Sequence, residues 1–212
     1  MPGQRVESLP LGLTGDARPD YDAARAQLGW KPDERVLLFL SRLHVKKGMH
    51  LLLRALAAVE RSEKTRLVIV GGGDADYVRS VRALATNLRD ALPRVDWIGE
   101  VWGEARWPYF QGADLFCLPT FSENFGLAVL EACQVGTPAL TTVETPWAEE
   151  LAGGRGFICT PRMEDVRREL ARFFANERGT SEARAALAEW AWMRFHWDAL
   201  AERYAEFYRS LA

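Results

Sequence analysis

Val36-Leu37-Leu38-Phe39-Leu40-Ser41-Arg42-Leu43-His44-Val45-Lys46-Lys47-Gly48 is the stretch on which the fold turns. Its first five residues are apolar without alternation, as a strand covered on both faces requires. A short polar loop follows. Gly48 then opens an amphipathic helix to Arg61, with Leu51, Leu52, Ala55, Leu56 and Val59 on one face. The unit recurs along the chain. Arg66–Val70 is a second buried strand, closed by Gly71-Gly72-Gly73, and Asp74–Leu92 a helix with Asp74 as its cap. Val95–Ile98 is a third strand, Gly103–Gly112 a short helix, and Asp114–Leu118 a fourth strand. Phe125–Val135 is an apolar helix, Pro138–Thr142 a fifth strand and Gly156–Cys159 a sixth. A short helix over Asp20–Leu28 precedes the first strand, and three helical pieces follow from Pro161. This alternation predicts right-handed βαβ units in a doubly wound parallel α/β sheet. In such sheets ligands bind beyond the carboxyl ends of the strands.

Composition narrows the classes of function. The 212 residues are 48% hydrophobic and 26% charged, too apolar for a disordered chain and enough for one sizeable core. The formal charge of −2 offers no basic field for a phosphate backbone, which argues against nucleic acid. No apolar run approaches the roughly 18 residues of a membrane span, and the first residues lack the apolar core of a signal peptide. Cys117, Cys133 and Cys159 are odd in number, far apart and without CxxC spacing. They point away from a disulfide framework or zinc site and toward a reducing, cytoplasmic compartment. Residues 1–19 hold three Pro and three Gly and read as a linker, leaving 20–212 as the ligand-binding domain.

The loops after the strands carry the chemistry. Arg42, His44, Lys46 and Lys47 cluster where a helix begins, an end that is already partly positive. The cluster makes sense around an anion, with a solvated basic loop as the plain alternative. Gly71-Gly72-Gly73 either admits a ligand to the backbone or makes a tight turn. Asp76 stands where a dinucleotide fingerprint needs glycine, and Asp74-Ala75-Asp76 is read as helix-start carboxylates before a metal pair. The third loop, Gly99-Glu100-Val101-Trp102, has no obvious reactive group. The fourth is the most informative: Glu123-Asn124-Phe125-Gly126 leads into a helix whose one ionisable group is Glu131. A carboxylate in an apolar helix needs a partner, and ligand hydroxyls are one. Asn124, Phe125 and Gly126 offer backbone N–H groups at the helix start. His196 lies among Trp192, Phe195 and Trp197 and reads as a packed or surface imidazole.

Taken in order, Arg42…Lys47-Gly48, Gly71-Gly72-Gly73, Pro119-Thr120 and Glu123-Asn124-Phe125-Gly126…Glu131-Ala132 resemble the retaining glycosyltransferases of family 4. Glu123 and Glu131, with seven residues between them, match that family's E-x7-E motif. The resemblance implies a GT-B architecture of two facing Rossmann-like domains, of which this chain is the C-terminal, donor-binding half with extra terminal helices. It implies that Arg42 and Lys47 bind the diphosphate of a UDP- or GDP-sugar and stabilise the leaving group, and that Glu123 contacts the sugar. It further implies that Glu131 holds the ribose hydroxyls, Asn124, Phe125 and Gly126 contact sugar and phosphate through the backbone, and Gly72, Gly73 and Val101 border the base. No bound metal or other cofactor is implied. The family's acceptor domain lies N-terminal to this region, and any peripheral membrane association would come through it. A binding module without turnover and a sugar-nucleotide epimerase remain as other readings, with the intact E-x7-E favouring a transferase. The family context is surface polysaccharide or glycolipid assembly. Among the eight tryptophans, Trp190 and Trp197 align with Met193 at i, i+3 and i+7 of one helix face, giving either an exposed apolar patch or ordinary packing.

Overall fold

Six parallel strands run in the order β3-β2-β1-β4-β5-β6: β1 (Arg35–Leu40), β2 (Thr65–Val70), β3 (Arg94–Gly99), β4 (Leu115–Cys117), β5 (Ala139–Thr142) and β6 (Phe157–Cys159). The computed structural model describes residues 9–13, 15–176 and 179–210. Nine helices are described: α1 (Tyr21–Leu28), α2 (Met49–Ala57), α3 (Ala75–Asn87), α4 (Trp107–Gly112), α5 (Leu127–Gln134), α6 (Trp147–Glu150), α7 (Met163–Ala175), α8 (Ser181–Phe195) and α9 (Trp197–Arg209). The doubly wound parallel sheet anticipated from the sequence is therefore present. Val36 to Phe39 and Leu67 to Val70 are buried because helices cover both faces of the sheet. The order reverses between β1 and β4, so the crevice that such sheets offer a ligand opens at the carboxyl ends of these two strands.

Several expected boundaries move for physical reasons. Asp114 lies just before β4, because its carboxylate accepts the Val36 N–H at 2.7 Å, the Tyr21 hydroxyl at 2.7 Å and Arg25 Nη1 at 3.2 Å. Phe125 and Gly126 lie outside α5. Gly126 caps that helix with φ near 81° and thereby turns the chain into it. α6 has too few residues to have shown a helical period.

The supposed face through Trp190, Met193 and Trp197 does not exist. His196 adopts an extended conformation between two helices, and its Nδ1 accepts the Asp198 N–H at 3.3 Å to cap α9. Trp197 thus starts a new helix. Met193 is exposed, while Trp190 packs edge-on against Phe195.

The linker-like stretch has no helix or strand in its described residues, yet it is tied down. The Leu13 N–H donates to Phe195 O at 2.9 Å, and Gln134 Nε2 donates to the carbonyls of Gly15 and Ala17. Residues 1–8 and 14 of that stretch lie outside the described residues. No helix among those described is long and apolar enough to cross a membrane.

Candidate functional site at the strand switch point

The loops that follow β1 and β4 are laced together before they present any side chain. The Phe121 N–H donates to Lys46 O at 2.7 Å, and Thr120 Oγ1 donates to the same carbonyl at 2.8 Å. Thr142 Oγ1 in turn donates to Thr120 O at 2.7 Å. Gly48 sits at φ 72° where a Cβ would stand 1.9 Å from the Pro119 carbonyl oxygen, so only glycine lets the loops approach. Phe121 stacks on His50 with ring centroids 5.7 Å apart. Burial, with a smaller push from Arg54, holds the His50 imidazole below its ordinary pKa.

Between these loops lies a cleft of about 360 Å³. Arg42, His44, Lys46 and Lys47 line one side, and Glu123, Asn124, Phe125 and Gly126 line the other. Lys47 Nζ donates to both carboxylate oxygens of Glu123, at 2.5 and 2.6 Å, with both side chains largely buried. Among the described residues no carboxylate pairs with Arg42 or Lys46. His44 Nδ1 accepts the Lys46 N–H at 3.2 Å, which fixes the single 3₁₀ turn Val45–Lys47 and aims its cations. Across the cleft, Trp147 is buried and its Nε1 donates to Phe125 O, while its ring packs edge-on against Phe125. The Glu123 N–H donates to Glu144 O at 3.3 Å. The segment leading into α5 is therefore held through its own backbone, by the Trp147 indole and the Glu144 carbonyl, while its open side faces the cations of the first loop. Cations opposite the start of a helix form a site suited to an anion carrying several oxygens.

Glu131 is elsewhere on α5. It is 8% exposed and accepts Arg106 Nη2 at 3.0 Å. Arg106 ends the 3₁₀ turn Gly103–Arg106, donates also to Gly103 O at 2.6 Å, and lies over the Trp107 ring. The sequence shows that Glu131 needs a partner but does not name Arg106, which lies in the stretch read as a short helix and ends the turn that follows the third loop. On the same loop Val101 is half-buried against the core, and Trp102 is 77% exposed.

The glycine stretch approaches backbone closely, but the backbone is the chain's own. The Leu43 N–H donates to Gly72 O at 2.6 Å, and a Cβ on Gly73 would lie 2.0 Å from Leu43 O. A Cβ on Gly72 would meet the Glu100 carboxylate at 2.3 Å. Gly72 and Gly73 thus brace the Arg42 loop from behind and do not line the cleft. Asp74 caps α3 by accepting the N–H groups of Asp76 and Tyr77, and Asp76 pairs with Arg79. Among the described residues no cluster of three or more His, Cys, Asp or Glu could hold a metal ion. Cys133 and Cys159 are buried thiols pushed up to about 12, and Cys117 is pushed higher still, mainly by burial. They are inert as nucleophiles.

Six of the ten sequence-derived site residues therefore meet in one cleft: Arg42, Lys47, Glu123, Asn124, Phe125 and Gly126. Glu131, Gly72, Gly73 and Val101 stand outside its lining. A six-stranded parallel sheet with a cation-lined crevice at its switch point defines a doubly wound α/β domain whose crevice suits an anion. The chain belongs to the glycosyl transferases group 1 family, whose sequence pattern matches residues 20–191. Among its relatives is the D-inositol 3-phosphate glycosyltransferase of Segniliparus rotundus, 31% identical over 98% of this chain and 47% of the relative. Another is the GDP-mannose-dependent alpha-(1-6)-phosphatidylinositol monomannoside mannosyltransferase of Mycobacterium tuberculosis, 31% identical over 99% of this chain and 57% of the relative. Among solved structures, Anabaena HepE in complex with UDP and glucose superposes with a TM-score of 0.71 at 25% identity, over 90% of this chain and 52% of that one. The chain spans about half the length of these relatives.

Proposed function

We propose that this chain is the donor-binding half of a retaining glycosyltransferase of family 4, taking a UDP- or GDP-sugar. The observation that carries this is the cleft at the switch point, where the Arg42–Lys47 loop faces Glu123 and the start of α5. Arg42 and Lys47 neutralise the diphosphate as it leaves. In a partly dry cleft that charge stabilisation is worth far more than in water. The N–H groups following Asn124, Phe125 and Gly126 cradle phosphate and sugar oxygens, Glu123 accepts sugar hydroxyls, and Glu131, steadied by Arg106, accepts those of the ribose. The loop at Val101, with Gly72 and Gly73 behind it, borders the base. No bound metal or other cofactor takes part. UDP and glucose on HepE and GDP-mannose for the mycobacterial mannosyltransferase support the donor class.

The acceptor and the residues that hold it belong to an N-terminal domain outside residues 20–212, which are the donor domain. Any peripheral contact with a membrane runs through that N-terminal domain. The working compartment is the cytoplasm, and the product is a surface polysaccharide or glycolipid.

Calorimetry with UDP, GDP and ADP, each with and without EDTA, tests the proposal. Micromolar to millimolar binding of UDP or GDP, unaffected by EDTA, is the expected result. Equal binding after Arg42 and Lys47 are both changed to alanine overturns the site. A strict need for a divalent ion overturns the metal-free account.

A further inference from the structure

Glu123 lies in an electrostatically awkward position for a phosphate site. It is the one carboxylate lining the cleft among the described residues, and it takes both its oxygens to the ammonium of Lys47, at 2.5 and 2.6 Å. Arg42, Lys46 and Lys47 against Glu123 leave the lining with a formal balance of +2. If the site served only to hold phosphate as tightly as it can, a neutral side chain at 123 would serve better.

The two diphosphates that such a site must tell apart differ in charge. In a nucleotide sugar both phosphates are esterified and each carries about one negative charge, about −2 in all. In the free nucleoside diphosphate the terminal phosphate has a second ionisation near pH 6, and the total at neutral pH approaches about −3. A lining of +2 matches the first and under-compensates the second. The extra charge resides on the terminal phosphate, the oxygen-rich end that replaces the sugar linkage. The same carboxylate that repels it can hydrogen-bond a sugar.

We infer that the Glu123 carboxylate is a specificity-determining group that sets the cleft against free nucleoside diphosphate and in favour of the intact nucleotide sugar, by competing with the terminal phosphate for Lys47. This rests on the donor-site assignment proposed above. When a sugar is attached, Glu123 turns from Lys47 toward its hydroxyls and Lys47 turns toward the diphosphate, so the carboxylate trades its ammonium for hydrogen bonds and the diphosphate gains that cation. When the sugar has gone, Glu123 has only Lys47 to pair with, and the carboxylate and the terminal phosphate contend for one ammonium. Product release is thereby favoured without weakening the donor complex. Arg42 and Lys46, which have no carboxylate partner among the described residues, keep the site attractive to either ligand.

The test is a pair of titrations on the whole chain, UDP against UDP-glucose and GDP against GDP-mannose, with wild type and Glu123→Gln. The amide keeps the shape and the hydrogen-bonding reach but removes the charge. The expected result is that Glu123→Gln binds the free diphosphate at least about fivefold more tightly while its affinity for the nucleotide sugar stays level or falls. The ratio of the two affinities then moves toward product. The gain should shrink at pH 5.5, where the terminal phosphate holds its proton more often. A Glu123→Gln protein that binds the free diphosphate equally or more weakly overturns the inference and leaves the Lys47–Glu123 pair a structural brace. Loss of both ligands to the same extent overturns it as well, and thermal melting of the variant separates that outcome from unfolding. If wild type binds none of the four nucleotides, the donor-site assignment itself fails, and the inference with it.

Discussion

Two ion pairs at opposite ends of the sheet use similar chemistry and do different work. Arg25 and Asp114 lie near the start of β1, both almost fully buried. All of their polar atoms except the buried Nε of Arg25 find partners in the frame. Asp114 takes the Val36 N–H and the Tyr21 hydroxyl, while Arg25 donates to the carbonyls of Gly112, Lys31 and Glu34. Arg184 adds a further cation 3.7 Å from the carboxylate. Lys47 and Glu123 lie at the carboxyl end of the strands, are somewhat more open, and border a cleft. The first pair is surrounded by backbone that would lose its partners if the pair broke. The second has the cleft on one side, where a ligand can take the place of either member. Satisfaction by backbone marks an ion pair that builds the fold, and a cleft beside the pair marks one that serves a ligand.

That contrast is breakable by substitution. Asp114→Ala should cost the most. It strands a buried guanidinium and an N–H of β1, and a loss of about 3–5 kcal/mol is expected, read as a large fall in the urea midpoint. A loss below about 1 kcal/mol would erase the distinction between the two pairs. Next comes the Arg42→Ala and Lys47→Ala double change, with at least about a hundredfold weaker UDP or GDP binding, since it removes two charge-assisted contacts. Its thermal midpoint should move by only a few degrees, because the partners lost border the cleft. Glu131→Gln should weaken nucleotide binding by roughly tenfold, as one charged acceptor of ribose hydroxyls is lost. Arg106→Ala should weaken it less, and in the Glu131→Gln background it should add little, because both act through the same carboxylate.

The smallest effect concerns His50, beside the cleft loops. Its folded pKa is depressed by burial, so the unfolded chain takes up the proton first as the pH drops. The stability this neutral imidazole contributes is complete above its unfolded value of about 6.5. It is lost as the pH falls through that value to the folded one. The thermal midpoint of wild type should therefore fall more steeply below pH 6.5 than that of His50→Gln. Parallel curves would assign the acid sensitivity to other groups.

The sheet was legible because its central strands hold continuous apolar runs, and Val36–Phe39 and Leu67–Val70 have no other reading once buried on both sides. The cation loop was legible too, because charges at a helix start ask for an anion whatever the fold. What the sequence could not supply was pairing at a distance. Glu131 announced its need for a partner, yet Arg106 is 25 positions away on another element, and nothing local ties the two. Gly72 and Gly73 showed a close approach without showing to what, and the answer was the chain's own backbone at residue 43. The break at His196 was hidden for a different reason. No glycine or proline marks it, and the apolar spacing runs across it, so the periodicity of one helix continued into the next.

The claim that matters most is that a nucleoside diphosphate enters at the carboxyl ends of β1 and β4. It is tested most directly by titrating UDP, and separately GDP, into isotope-labelled protein and following the backbone amides. The largest shifts are expected on residues 42–48 and 122–128, with smaller ones near Glu131 and Arg106, and none around Arg25, Asp114 and Arg184. Shifts concentrated at the Asp114 end of the sheet, or an unchanged spectrum at millimolar nucleotide, would contradict it.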